Sequence, residues 1–220
     1  MNLIDASRNG NLVRVIELLT VSSEGIRKEC PDVVDEDGNT PLLWASRSGR
    51  LDIVKELLHA DADPNIADRS GRTPLLWASR NGRLDIVKEL LLRGADPNIV
   101  NKHGRSPLYW ASREEHLEII KVLLVAGVDP NIVDDNGETS LVWASLLGNL
   151  EVVKELLIAG TDPNISDKEG RTPSFWAARG GYWEVVEELE TYFPSLRDLS
   201  LRRVRRFKIV VSAIPEKLLE

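Results

Sequence analysis

The residue types that most often carry catalysis are few in this sequence and lie far apart. His59, His103 and His116 fall at unrelated positions, and Cys30 has no histidine near it. The acidic residues recur at regular intervals and do not converge, and the sequence has neither a phosphate-binding glycine loop nor a C-x-x-C pair. We therefore expect no catalytic residue, no cofactor and no metal site, and we expect that the protein is not an enzyme.

Tryptophan and arginine are the residue types whose spacing points to recognition. The chain has six Trp against three Tyr and three Phe, which is an unusual ratio. Five of the six are each 33 residues apart, at Trp44, Trp77, Trp110, Trp143 and Trp176. Arginine follows most of these tryptophans by one helical turn, so the two side chains can meet. Self-similarity at a fixed period predicts a repeat architecture.

Length and composition limit the function classes further. The 220 residues are 42% hydrophobic and 29% charged, which is typical of a globular chain, and no apolar run is long enough to span a bilayer. The net charge of −7 argues against general nucleic-acid binding. The single cysteine and the N-terminus, which does not resemble a signal peptide, predict a cytoplasmic location. The nucleus stays open as a further location.

The repeat predicts pairs of short helices. Five full copies begin at residues 35, 68, 101, 134 and 167, after a truncated copy at 1–19 and an insertion at 20–34. In each full copy a Thr-Pro or similar pair favours a helix start, and a glycine separates this helix from a second one. The second helix, such as 84–92, carries leucines and valines on one face. The predicted fold is an all-α solenoid of about six repeats, followed by a short helical tail.

Four motifs occur in register over residues 1–193: D-x-x-G-x-T-P-L, the Ala after the Trp, the helix G-x-L-x-x-V-x-x-L-L and the exit G-A-D-x-N. This pattern resembles the ankyrin repeat. One departure recurs, because the family's His after Thr-Pro-Leu is replaced by Leu43, Leu76, Tyr109, Val142 and Phe175. The hydrogen bond that this His makes in the family is lost, so we expect apolar packing to compensate.

The resemblance also implies where a partner binds, because ankyrin partners usually meet the turn tips and the exposed side of the first helices. Over these positions the two middle full copies together carry a net charge of +5. Leucines replace the arginine and its polar neighbour in the fourth full copy, which adds an apolar spot. The implied concave binding face comprises Arg69, Arg72, Trp77, Arg80, Lys102, Arg105, Trp110, Arg113, Trp143, Leu146, Leu147, Arg171 and Arg179.

Two interpretations of the tryptophans stay open at this stage. Each Trp could pack between neighbouring first helices as core, or the Trp and Arg could form a stripe that binds an acidic or aromatic segment of a partner protein. A second pair of alternatives concerns Asn65, Asn98, Asn131 and Asn164, which each follow Asp-Pro. Their context resembles ankyrin asparagines modified by a hydroxylase, whereas the alternative is that their side chains hold the turn.

The composition changes after residue 193. Residues 194–220 carry seven Lys/Arg and three Asp/Glu, with leucines and a valine at helical spacing. The segment resembles the elongin-binding part of a SOCS box, with Leu196 at its start, Ser200 in place of the usual Cys, Val204 at its end and Ile214-Pro215 at the later cullin-contacting element. This resemblance implies elongin B/C and a cullin as partners. A cap on the last repeat and a basic surface helix are the alternatives.

From these observations we expect a protein–protein interaction module. The first hypothesis is a substrate-recruiting adaptor of an elongin–cullin ubiquitin ligase. The alternative is an ankyrin scaffold or regulator without a ligase link, including a microbial or viral effector that uses this scaffold. Neither hypothesis involves a membrane.

Overall fold

A computed structural model describes residues 1–20 and 29–192. These residues form twelve α-helices and no strand, arranged as six consecutive helix pairs. In chain order the helices are α1 (Leu3–Asn9), α2 (Leu12–Leu19), α3 (Pro41–Ser48), α4 (Leu51–His59), α5 (Pro74–Arg80), α6 (Leu84–Leu92), α7 (Pro107–Arg113), α8 (Leu117–Val125), α9 (Ser140–Leu147), α10 (Leu150–Ile158), α11 (Pro173–Gly180) and α12 (Trp183–Thr191). The prediction of an all-α repeat solenoid is confirmed.

The sequence explains where the first helix of each pair begins. In α5 the Thr73 Oγ1 accepts a hydrogen bond from the Leu76 N–H at 3.2 Å, and Pro74 occupies the first turn. The same cap recurs at residues 40, 106, 139 and 172. A hydroxyl cap satisfies an amide that the helix leaves unpaired, and proline costs nothing there because its missing N–H would have no partner.

The helices form two layers with one core between them. Each first helix packs against the first helices of the neighbouring repeats, and the second helices form a parallel outer layer. Leu75, Ile86 and Leu90 show how one repeat contributes to the core, because each is at most 2% exposed. The core runs without interruption from the first helix pair to the last. No helix within the described ranges is long and apolar enough to cross a membrane.

Successive repeats are also joined through their turns. The Arg69 amide donates to the Asp37 carbonyl at 2.9 Å, and the Lys102 amide donates to the Ser70 carbonyl at 3.0 Å. Asparagine side chains make a second set of links, since Oδ1 of Asn65 accepts from the Asp96 N–H at 2.8 Å. Asn98 and Asn131 repeat this bond one and two copies later. The turn-holding interpretation is confirmed for these three asparagines, and their hydroxylation stays a hypothesis.

The described part of the insertion returns to the first repeat. The Glu29 carboxylate accepts a hydrogen bond from the Leu3 N–H at 2.8 Å, and the Glu29 N–H donates to the Leu18 carbonyl at 3.1 Å. Cys30 is exposed. These bonds attach the end of the insertion to α1 and α2.

Candidate functional site

The tryptophans and the first-helix arginines form an alternating stack along the first helices, on the predicted concave side. The Trp77 ring lies 4.4 Å from the guanidinium carbon of Arg47 in the preceding repeat and 5.5 Å from that of Arg80 in its own. The Trp110 ring lies 4.3 Å from Arg80 and 5.2 Å from Arg113. We call the whole stack the Arg–Trp row, and its members are Arg8, Trp44, Arg47, Trp77, Arg80, Trp110, Arg113 and Trp143.

The middle tryptophans are buried, so they pack as core. Trp77 and Trp110 are 5% and 7% exposed. Trp110 belongs to a small second cluster with Leu76 and Tyr109, and Trp143 packs on the same cluster. The Tyr109 ring meets Trp110 edge-on, with ring centres 5.5 Å apart. The packing interpretation is confirmed for these two residues, and their participation in binding stays a prediction.

Two of the residues that replace the family's His, Leu76 and Tyr109, belong to this cluster. Leu43 and Val142 are also buried, as expected from the need to compensate for the lost hydrogen bond, whereas Phe175 is half-buried. In two repeats the neighbouring tryptophan restores a link between turn and helix. Trp44 Nε1 donates to the Asp35 carboxylate at 2.9 Å, and Trp176 Nε1 donates to Asp167 at 3.2 Å.

The arginines at the turns are neutralised by buried carboxylates. Arg72 pairs with Asp68 at 2.6 Å, and Arg105 pairs with Asp134 of the next repeat at 3.2 Å. Arg171 pairs with Asp167 at 2.7 Å. Burial by itself would raise the pKa of Asp167, but the hydrogen bonds from Arg171 and Trp176 outweigh it and lower the pKa. The charge of these turn arginines is therefore used in ion pairs within the protein.

The arginines of the Arg–Trp row differ from those at the turns. No carboxylate lies within ion-pair distance of Arg8, Arg47, Arg80 or Arg113 among residues 1–20 and 29–192. The backbone of two of them is bonded to the next repeat, because Asn81 Nδ2 donates to the Arg47 carbonyl at 3.0 Å and His116 Nε2 donates to the Arg80 carbonyl at 3.2 Å. Among residues 1–20 and 29–192, the close partners of these guanidinium groups are therefore aromatic rings.

The row changes character in the fourth full repeat. Leu146 stands where the other repeats have arginine, and it is half-buried together with Leu147. Glu138 takes the place of the turn arginine, half-buried between Asp134 and Asp167. Burial, followed by the charge of Asp134, raises the pKa of Glu138, although Arg105 acts in the opposite direction. This part of the concave side offers an apolar contact and an acid, where the two preceding repeats offer cations.

The remaining candidate residues lie at the two margins of this surface. Arg69 and Lys102 are exposed at the turn tips. Arg179 lies 5.5 Å from the Trp176 ring in the last repeat, beyond the leucine interruption. The predicted tail residues Leu196, Ser200, Val204, Ile214 and Pro215 lie outside the described residues. The predicted face therefore contains arginines without an ion pair to any described residue, arginines paired with buried carboxylates, and buried indole rings. Its role in binding stays a prediction.

Sequence reasoning missed the N-terminal half of the row. Arg8, Trp44 and Arg47 were not predicted as site residues, because the first full copy carries a net charge of −1 over its tip and helix positions. The acids responsible, Glu36 and Asp37, are exposed at the turn tip, whereas Arg47 lies in the helix. The 33-residue period itself contained the missing signal, since Arg47 occupies the same repeat position as Arg80 and Arg113.

The comparisons with known proteins agree with the repeat architecture. The family model described as ankyrin repeats, in three copies, matches residues 3–101, 71–134, 85–167 and 108–197. These overlapping matches together span nearly nine-tenths of the chain. No curated protein matches the sequence. Within the described ranges, no group of His, Cys, Asp and Glu side chains could hold a metal ion.

Proposed function

The chain belongs to the ankyrin repeat family and is a protein–protein interaction module, and from this premise we propose that it recruits a client protein to an elongin–cullin ubiquitin ligase. In this proposal the concave side selects the client and the tail after residue 193 binds the ligase. The two halves of the proposal depend on different residues, so they can be tested separately.

The Arg–Trp row is the observation that carries client binding. Trp and Arg are the residue types enriched at binding hot spots, and here they alternate along one surface. A row of cations without a carboxylate partner among the described residues favours a partner that supplies negative charge. Leu146 and Leu147 add an apolar contact at the end of the row. The exposed turn residues Arg69 and Lys102 extend the basic area toward the tips.

Client binding can be tested by removing charge from one face at a time. Changing Arg47, Arg80 and Arg113 together to Gln should abolish capture of the proteins that the full chain binds in a cell extract. The matched control changes Lys55, Lys88 and Lys154 to Gln, which removes the same charge from the outer helices. Proteins captured by the wild type and the control, but lost from the arginine variant, support the proposal. Equal capture by all three chains would contradict it.

The ligase half of the proposal rests on the order and spacing of the tail motif. Leu196 and Val204 follow the elongin-binding pattern with Ser200 at its Cys position, and Ile214-Pro215 follows at the distance of the cullin-contacting element. The segment comes directly after the last repeat, which is where such tails are found in the ankyrin proteins that carry them.

One residue favours the second candidate, a scaffold or regulator without a ligase link, with microbial and viral effectors among its forms. Ser200 stands where the SOCS box has a buried Cys. A hydroxyl in an apolar pocket costs about 1–3 kcal/mol unless it is hydrogen-bonded. Elongin affinity decides between the two candidates.

Two substitutions in the full chain separate these candidates. If the tail binds elongin B/C, Leu196→Asp should abolish the complex, because it places a charge in an apolar pocket. Ser200→Cys should tighten the complex by about tenfold or more, because a thiol is more easily desolvated than a hydroxyl. Titration calorimetry with purified elongin B/C measures both changes.

The alternative roles of the tail give different results in the same experiment. A cap on the last repeat predicts that Leu196→Asp lowers the melting temperature whether or not elongin is present. A basic surface helix predicts no effect of either substitution and binding that weakens with salt. If neither the wild type nor Ser200→Cys binds elongin B/C at micromolar concentration, the ligase half is excluded.

A further inference from the structure

We propose that the Arg–Trp row binds an extended segment of another protein that carries Asp or Glu at every third residue. This inference rests on the proposed client-binding role and adds the chemistry and spacing of the segment that is bound. It follows from the charge, the rigidity and the spacing of the row.

The charge argument compares two sets of arginines in the same repeats. The turn arginines Arg72 and Arg105 already pair with buried carboxylates at 2.6 and 3.2 Å. The first-helix arginines Arg47, Arg80 and Arg113 have no such partner within the described residues, and their hydrogen-bonding edges are unsatisfied by carboxylates of the fold. Carboxylates from outside pair with a guanidinium in a two-pronged geometry, which makes them the matching ligand.

Stacking makes these arginines suitable for pairing. Arg80 lies 4.3 Å from the Trp110 ring centre and 5.5 Å from the Trp77 ring centre, so its guanidinium contacts two indoles. An arginine that already contacts two rings loses less conformational freedom when it binds. No carboxylate among the described residues takes up its N–H groups, so these groups can pair with an acceptor from outside.

The geometry of the row sets the spacing of the acidic residues. The Trp77 ring centre lies 4.4 Å from the Arg47 guanidinium carbon and 5.5 Å from the Arg80 carbon, so these two cations are at most about 10 Å apart. The same limit holds for Arg80 and Arg113 around Trp110, at 4.3 and 5.2 Å. A segment in the extended polyproline II conformation has three residues per turn and advances about 3.1 Å per residue, so its i and i+3 side chains lie on one face about 9 Å apart. Acidic side chains at every third position of such a segment therefore match cations separated by up to this limit.

Other features favour a protein segment over a nucleic acid. The faces of Trp77 and Trp110 are already covered by guanidinium groups and the rings are buried, so bases cannot stack on them. The basic row also ends at Leu146, in the repeat that carries the half-buried Glu138. A polyanion would meet an acid at that point, whereas a peptide can place an apolar residue against Leu146 and Leu147.

The experiment uses the full chain and three fluorescent peptides of identical length. The first has Glu at every third position, separated by Ser, and ends in Leu. The second has the same composition with its Glu residues adjacent, and the third has Gln in place of Glu. We expect the spaced peptide to bind at least about tenfold more tightly than the other two, as measured by fluorescence anisotropy at 50 mM salt.

Variants of the protein show whether the row is the site. Changing Arg47, Arg80 and Arg113 to Gln should weaken binding of the spaced peptide at least about tenfold, whereas the Lys55, Lys88 and Lys154 control should leave it unchanged. If the glutamine variant does not fold, lysine at the same three positions keeps the charge but loses the planar group, and weaker binding then supports the proposal. Unchanged affinity in the lysine variant would overturn it.

The remaining outcomes separate this inference from the proposed function. Equal binding of the spaced and adjacent peptides, or of the Gln peptide, overturns the inference. So does complete displacement of the spaced peptide by an equimolar DNA duplex. If the arginine variant loses its captured clients while no peptide binds, the client-binding role stands and only the inference fails. If the variant keeps its clients, the client-binding role fails.

Discussion

Replacing Trp110 by alanine is expected to lower the free energy of unfolding by about 3–5 kcal/mol, as deletions of large buried aromatic side chains do. The indole is 7% exposed and packs in a cluster with Leu76 and Tyr109. Its faces also carry the guanidinium groups of Arg80 and Arg113, which lose their stacking partner in the variant. Urea denaturation of the full chain measures the change.

The matched control makes the same change at Trp176, the last tryptophan of the series. This ring is half-buried and lies in the last repeat that the structure describes, so Trp176→Ala should cost clearly less than Trp110→Ala. A small effect at Trp110 together with a large loss of client affinity would contradict the core role and assign the ring to binding alone. A large loss in both measurements would mean that the ring serves both.

The period of the sequence was sufficient to predict the fold. The helix bounds follow local signals, because Thr73 caps α5 and the apolar face of 84–92 packs in the core as α6. Such signals act within one repeat and recur 33 residues later. The stacking of neighbouring repeats is then the remaining way to bury the apolar face of each helix pair.

The binding row was harder to predict because it forms between repeats. From the sequence, Arg80 was expected to meet the Trp77 of its own repeat, and this contact is confirmed at 5.5 Å. The closer contact of Arg80 is with Trp110 of the next repeat, at 4.3 Å. Counting formal charges was misleading about the binding face for the same reason, because Arg105 forms an ion pair with Asp134 of the next repeat. The spacing of residues along the chain predicts neither the Arg80–Trp110 contact nor the Arg105–Asp134 ion pair.

A second set of contacts between repeats was also invisible in the sequence. The residue before each second helix covers the glycine that ends the preceding repeat's first helix. Arg83 covers Gly49, His116 covers Gly82 and Tyr182 covers Gly148. At the one place where glutamate replaces this glycine, Glu115 adopts a positive φ of 59° and accepts a hydrogen bond from Asn149 Nδ2 at 3.1 Å. We call this recurring contact between neighbouring repeats a joint.

The joint at the end of the solenoid gives the second large prediction. Gly148→Ala should destabilise the protein by about 2–4 kcal/mol, because two costs combine. Gly148 has a φ of +71°, which alanine adopts with strain, and an added Cβ would lie 2.5 Å from Cγ of Tyr182. That atom is next to the backbone, so the ring cannot avoid the methyl group by moving its far end.

Two controls separate the strain from the overlap. Gly160→Ala introduces the same methyl group at a φ of +87° with no atom within 4 Å, so it should cost only the strain, about 1–2 kcal/mol. In a Tyr182→Ala background the overlap is gone, and the cost of Gly148→Ala should fall to the value measured at Gly160. If Gly148→Ala costs the same in both backgrounds, the ring does not press on this glycine and the contact between the last two repeats is not a joint. If the cost falls as expected, Tyr182 holds the last repeat in register, which in turn fixes the position of α12 just before the tail.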